Sequence, residues 1–161
     1  MKHLKLFEAW TNDDDSLLDL VRLGLIEDPV LKKIIDYYDS GSTGTLFAGG
    51  YPLTHLPPFL KKLPKDLHLG ESLIETLPDG MEINGSLYLN GAKNLKTLPV
   101  DLTVAKDLVI NATNIKDLPV GLRVGRSLYM YDTPFSYSGK SLDDIRKDLE
   151  EKGGNAAQIY F

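Results

Sequence analysis

Hydrophobic positions recur along the chain with a period of 20 or 21 residues. Four Leu-Pro pairs mark this period, and a triplet of the form Leu-x-apolar lies ten or eleven residues before each pair. A fifth triplet follows the last pair. The triplets begin at Leu46, Leu67, Leu87, Leu108 and Leu128. This spacing fits neither an amphipathic helix nor one long strand, so it predicts short strands separated by turns.

Each repeat contains only about six apolar positions, which is too few to bury a core of its own. One apolar residue lies three positions before each Leu-Pro pair, and Phe135 occupies the matching place in the last repeat. An earlier apolar pair, such as Met81 and Ile83, precedes three of the triplets by six residues. Copies must therefore stack, with equivalent leucines above one another and the triplets paired as a parallel sheet.

The repeat unit LPxxLxVxxxLxLxxTxIxxLP resembles the leucine-rich repeat family, in particular the short bacterial and bacteriophage type in which each coil ends in Leu-Pro. The resemblance covers residues 45–135. It implies an α/β solenoid of about five coils with a parallel β-sheet on the concave face. Asn is the usual residue in the turn after the strand, but here Asn90 and Asn111 alternate with glycine and Tyr131. We expect the hydroxyls of Ser72, Thr113 and Thr133 to bond the backbone of these turns.

The flanking segments are predicted to close the two ends of the stack within one structural domain. Residues 1–44 form a helical N-terminal cap, with one helix in DDDSLLDLVRLG and a second one starting at Asp28-Pro29. The buried stripe of this second helix is predicted to be Val30, Leu31, Ile34, Ile35 and Tyr38. Residues 136–161 form a C-terminal cap of one helix and one edge strand.

The predicted C-terminal helix starts with a capping box formed by Ser141 and Asp144 and ends at Gly153-Gly154. Its buried face is predicted to contain Leu142, Ile145 and Leu149. The final residues AAQIYF are typical of an extra edge strand.

Composition narrows the class of protein. The 161 residues include no cysteine, which excludes disulfides and thiolate chemistry, and their net charge of −5 disfavours a nucleic-acid surface. Apolar runs are too short for a membrane span or a signal peptide. We expect a soluble protein in the cytoplasm of a bacterial or phage-infected cell, or one associated with a virion.

Residues typical of enzyme chemistry are not grouped in the sequence. There is no nucleophile–base pair or paired-carboxylate motif, and the three histidines are not at a metal-ligand spacing. We therefore expect neither an enzyme nor a bound metal or cofactor.

The middle residue of each triplet is predicted to point to the concave face, because side chains alternate along a strand. These middle residues are Phe47, His68, Tyr88, Val109 and Tyr129. A polar rim is predicted from neighbouring positions, namely Asp66, Ser86, Asp107, Ser127, Asn90, Asn111 and Tyr131. Aromatic surfaces of this composition are typical of binding hot spots. Alternatively, aromatic residues stabilise neighbouring strands without binding anything.

Two functions follow from this pattern. The first is non-catalytic binding of a protein or peptide through the concave sheet face. The alternative is a structural role, in which the chain associates with itself or decorates a larger particle such as a phage virion. The edge strand or the N-terminal segment would make the contacts in that case.

Overall fold

The computed structural model describes residues 29–41, 43–57 and 60–161, and these form a parallel β-solenoid with few helices. Helix α1 spans Pro29–Asp39 and helix α2 spans Leu142–Glu151. The strands are β1 (Leu46–Phe47), β2 (Lys62–Leu63), β3 (Leu67–His68), β4 (Glu82–Ile83), β5 (Leu87–Tyr88), β6 (Thr103–Val104), β7 (Leu108–Val109), β8 (Arg123–Tyr129) and β9 (Asn155–Tyr160). None of the helices in the described ranges is long and apolar enough to cross a membrane.

The triplets pair in parallel as predicted. Strands β1, β3, β5, β7 and the end of β8 form one stack, in which Leu46, Leu67, Leu87, Leu108 and Leu128 are successive partners. Backbone bonds connect the rungs regularly, for example from Leu69 N–H to the Tyr88 carbonyl at 2.8 Å. Equivalent positions of the sequence repeat are therefore strand partners in the sheet.

A second parallel stack, which the sequence pattern did not predict as strands, runs along the return side of each turn. It consists of β2, β4, β6 and the start of β8, with Leu63, Ile83, Val104 and Val124 as successive partners. Strand β8 is seven residues long and takes part in both stacks. The five triplets predicted about five coils, whereas the structure has about four turns, because five stacked rungs are joined by four connections.

The core lies between the two stacks. The leading leucines of the triplets are at most 2% exposed, and the third triplet residues Ala48, Leu69, Leu89, Ile110 and Met130 are fully buried. The residues before the Leu-Pro pairs, Leu53, Ile74, Leu95 and Ile115, are also fully buried. Burial of each leucine, isoleucine or methionine side chain in this set contributes roughly 1.5–3 kcal/mol to the stability of the folded chain. The predicted division between inner and outer positions is thus confirmed for the triplets.

Hydroxyl groups stabilise the turns after the triplet strands, as predicted. Ser72, Thr113 and Thr133 donate to the carbonyls of Leu69, Ile110 and Met130 at 2.6–2.7 Å. The residue just before each hydroxyl has left-handed backbone, with φ of 59° at Glu71, 55° at Ala112 and 54° at Asp132. Local side-chain bonds of this kind offset the energetic cost of the left-handed conformation, and the same arrangement recurs in these three turns.

Helix α1 begins at Pro29, as the sequence predicted, and packs on the first turn. Val30 and Ile34 belong to the same buried cluster as Leu46, and the Lys33 Nζ lies 5.2 Å from the centroid of the Tyr51 ring. Ile35 is also buried, and so is Tyr37, which the predicted stripe did not include. The first predicted helix, the Asp28 cap and the side chains of Leu31 and Tyr38 lie outside what the structure describes.

The predicted C-terminal helix and strand are both present. Ser141 and Asp144 form a capping box, and Ile145 and Leu149 are buried. Leu142 is 48% exposed, so its predicted burial was wrong: as the first residue of the helix it lies beyond the end of the buried stripe. After the helix, the Lys152 Nζ bonds to Asp117 Oδ1 at 2.6 Å, and β9 pairs in parallel with β8.

Asp substitutions at neighbouring triplet positions test this division. Leu108→Asp buries a charge among stacked leucines and should lower the free energy of unfolding by at least about 3–5 kcal/mol. Val109→Asp places the same charge on the half-buried outer side and should lower it by about 1 kcal/mol or less. Urea unfolding of both variants measures the difference. Equal losses would contradict the assignment of inner and outer positions.

Candidate functional site

The middle residues of the triplets form one continuous column on the outer side of the first stack. Strand pairing places them opposite one another in the order Phe47, His68, Tyr88, Val109 and Tyr129, and β9 adds Tyr160 opposite Tyr129. Phe47 is 53% exposed, and His68, Tyr88, Val109 and Tyr129 are half-buried. We call this surface, with its six column residues, the triplet face.

The aromatic rings of the triplet face stack on one another. The ring centroids of Phe47 and His68 are 4.5 Å apart, and those of His68 and Tyr88 are 4.3 Å apart, with interplanar angles of 21° and 13°. Tyr129 and Tyr160 stack at 5.0 Å and 10°. These distances match the spacing of paired strands, about 4.8 Å. The column is therefore two aromatic stacks separated by one aliphatic residue, Val109.

Tyr160 is a member of the triplet face that the sequence interpretation missed. Its neighbours Ile159 and Phe161 flank it as the outer residues of a triplet flank a middle residue, and Ile159 pairs with Leu128. Ile-Tyr-Phe is thus a sixth triplet. The available signal was its apolar-x-apolar form, but the triplet begins with Ile in place of Leu, follows a helix and falls outside the 20–21-residue period.

Asp66 and Asp107 lie beside the column and bond to the next turn. The Asp66 Oδ1 accepts from Ser86 N–H at 2.7 Å, and the Asp107 Oδ1 accepts from Ser127 N–H at 3.2 Å. Ser86 and Ser127 are only 3% and 6% exposed. The expectation that these serines belong to a polar rim is therefore wrong, because both are buried and their N–H groups donate to the neighbouring carboxylates.

The remaining predicted rim residues lie at the other end of the triplet strands. The Asn111 Oδ1 accepts from Tyr131 N–H at 2.8 Å, so this side chain also connects adjacent turns. Asn90 is exposed and lies against Gly70, where an added Cβ would come within 2.9 Å of the Asn90 Oδ1. Tyr131 is 45% exposed, and its ring lies 6.5 Å from that of Tyr129. Tyr131 therefore widens the aromatic surface beside the column.

His68 is the titratable group in the middle of the first aromatic stack. Burial between its neighbours lowers the pKa of His68, and the charge of Asp66 opposes this by raising it, so the net direction is downward. A neutral imidazole is favoured in this position because Phe47 and Tyr88 replace water on both of its faces.

A second surface feature is an open groove of about 600 Å³ that contains none of the triplet residues. Three successive turns line it with side chains that include Glu75, Lys93, Lys96 and Asn114. Its lining contains no histidine and one carboxylate, that of Glu75. Across residues 29–41, 43–57 and 60–161 there is no cluster of three His, Asp or Glu side chains able to hold a metal ion.

The pKa of His68 predicts a pH dependence of stability. Because folding lowers this pKa, the unfolded chain binds the proton more readily than the folded chain. The contribution of neutral His68 to the free energy of unfolding is thus fully present above the pKa of the unfolded chain, about 6.5. It is lost as the pH falls below that value. His68→Phe should therefore reduce the decline in unfolding free energy between pH 7.5 and pH 5. Urea unfolding at several pH values checks this, and an unchanged decline would contradict it.

Comparison with known proteins does not identify a relative of this chain. No protein-family model matches it, and neither a curated protein nor a solved structure does.

Proposed function

We propose that this protein binds a protein or peptide, without catalysis, through the triplet face. The observation that carries this proposal is the alignment of six aromatic rings on one exposed side of the solenoid, five of them in close stacks with a neighbour on an adjacent strand and Tyr131 beside them. Rigid aromatic side chains with polar tips provide large contact areas at low entropic cost, and they are enriched where proteins bind one another.

The repeat architecture supports this function. We infer that the repeats are of the short leucine-rich type, since the Leu-Pro period, the buried triplets and the parallel stacking all fit that class. Helix α1 and the pair α2–β9 would then close the two ends of the stack. Solenoids of this kind present extended surfaces whose residues vary without disturbing the core.

A purely structural role for the rings is the competing explanation. Aromatic pairs contribute about 0.5–1.5 kcal/mol each beyond area burial, so the pairs on the triplet face could stabilise the stack. A structural role does not explain why Phe47 and Tyr131 are exposed, at 53% and 45%. Large exposed aromatic surfaces are unfavourable in water unless a partner covers them.

Replacing the two central tyrosines tests the proposed function. Tyr88→Ala/Tyr129→Ala should keep the fold, because both residues are outside the core, yet weaken binding of the partner at least tenfold. The partner is first purified from the native source by affinity capture, and its dissociation constant is then measured with both purified proteins.

The matched control is Val100→Ala/Val120→Ala, which removes two exposed apolar side chains away from the triplet face. This control should leave the dissociation constant unchanged within about twofold. Equal affinities of the tyrosine variant and the wild type, with both proteins folded, would contradict binding through this face.

The second candidate function is assembly, and the composition of β9 favours it. Asn155–Tyr160 contains no charged residue, and β8 is its only strand partner within the described ranges. Natural edge strands usually carry charge or proline that prevents pairing with another chain. An uncharged edge of six residues could pair with the β9 edge of a second copy, or dock onto a larger particle.

Measurement of size in solution separates this candidate from the first. Assembly through β9 predicts a concentration-dependent oligomer in analytical ultracentrifugation. Ala157→Lys should convert that oligomer to a monomer, because it adds a charge to an exposed position of the edge. A wild-type monomer at about 100 μM, well above ordinary dissociation constants, would rule out self-assembly.

A further inference from the structure

The triplet face contains a gap in its column of rings. Val109 takes the place of a ring between Tyr88 and Tyr129, and it is the direct strand partner of both residues. A valine side chain ends at its Cγ atoms, which is the level at which a tyrosine ring begins. The two tyrosine rings therefore extend beyond Val109 and form the walls of a slot whose floor is the valine.

Each wall of the slot presents the face of a ring. One face of Tyr88 is covered by His68, with centroids 4.3 Å apart, and one face of Tyr129 is covered by Tyr160, with centroids 5.0 Å apart. The opposite face of each tyrosine is directed toward the rung of Val109. Val109 itself is half-buried, so its outer side remains accessible.

The width of the slot fits one planar group. Two strand spacings separate the backbones of Tyr88 and Tyr129, which corresponds to about 9.6 Å between the two ring centroids. The centre of a planar group placed midway would lie about 4.8 Å from each ring centroid. The centroid distances of the existing stacks are 4.3–5.0 Å. Two inserted groups would need three contacts of about 3.5 Å each, which exceeds this width.

The charge around the slot favours a cation. Asp107 precedes the inward-facing Leu108, so it lies on the same side of the strand as Val109. Its Oδ1 is bonded to Ser127 N–H, while its Oδ2 has Arg126 at 3.7 Å. The Arg126 side chain is 66% exposed and the Asp107 side chain 19% exposed, and a long ion pair with one well-exposed partner holds little energy. The faces of both tyrosine rings are also negative.

We propose that a protein partner inserts one arginine side chain into this slot, between Tyr88 and Tyr129 and beside Asp107. Arginine is the side chain that combines a planar shape with a permanent positive charge, and it stacks on aromatic faces. A lysine ammonium has the charge without the planar shape. The net charge of −5 on the chain also favours a basic partner. This inference rests on the proposed function and specifies the chemistry of its partner.

The first experiment uses small probes in place of the partner. Nα-acetyl-arginine amide is titrated into the protein, and the chemical shift of its δ-methylene protons is followed by NMR. Insertion between two tyrosine rings should give a saturable upfield shift. Nα-acetyl-citrulline amide has the same planar shape without charge, and Nα-acetyl-lysine amide has the charge without the plane. Both should bind at least threefold more weakly than the arginine probe.

Two variants locate the binding. Val109→Tyr completes the column and should abolish the shift, while its urea midpoint should stay at or above that of the wild type because the new ring stacks with both neighbours. Asp107→Asn keeps an Oδ1 acceptor for Ser127 N–H but removes the charge. It should weaken the arginine probe at least threefold and leave the citrulline probe unchanged.

Each contrary result overturns a stated part of the inference. Equal binding of the arginine and citrulline probes would overturn the preference for a cation, and unchanged binding by Val109→Tyr would overturn the slot. The purified partner separates this inference from the proposed function. Capture lost with Tyr88→Ala/Tyr129→Ala but retained with Val109→Tyr would leave the face as the binding site and refute the slot. Capture retained by both variants would refute both.

Discussion

The alignment of successive turns in one register is the constraint on which the rest of this structure depends. Leu67, Leu87 and Leu108 are fully buried only because each is covered by the equivalent leucine of the next turn. A shift of one residue would turn every triplet inside out, since side chains alternate along a strand. The same register that buries the leucines also aligns the rings, so the triplet face is a direct consequence of the core.

The sequence predicted the part of the fold that repeats, and it missed the parts that depend on partners elsewhere in the chain. The triplets were predicted correctly because their leucines recur at a fixed period. The return strands, such as Glu82–Ile83, lie at apolar pairs that the sequence pattern did contain, but their pairing into a second ladder depends on the register of the assembled stack. The bonds of Asp66, Asp107 and Asn111 could not be predicted, because each joins residues 20 positions apart whose register only the assembled stack defines.

The polar residues beside the column therefore differ from the rings, because they also bond to the backbone of the adjacent turn. Asp66 and Asn111 each use one oxygen to satisfy a backbone N–H of the adjacent turn. Removing such an acceptor leaves a donor without its partner, which costs stability whether or not a ligand binds. A loss of binding at these positions would combine both effects. The side chains of Tyr88 and Tyr129 take no part in the backbone ladder, so their replacement reports on recognition more directly.

The spacing of the solenoid also limits how a partner can use the triplet face. Rungs of the column lie about 4.8 Å apart, whereas the side chains on one face of an extended peptide lie about 6.6–6.8 Å apart. A strand lying along the column would therefore leave register with the rings within two rungs. One turn of an α-helix rises 5.4 Å, so the side chains of a helix would lose register with the rings more slowly. They would still not match the rings over the full column. A gap such as the one at Val109 avoids this mismatch, because a single inserted side chain needs to match only the two rings beside it. The position where the aromatic column is interrupted is thus the position where recognition depends least on the repeat spacing.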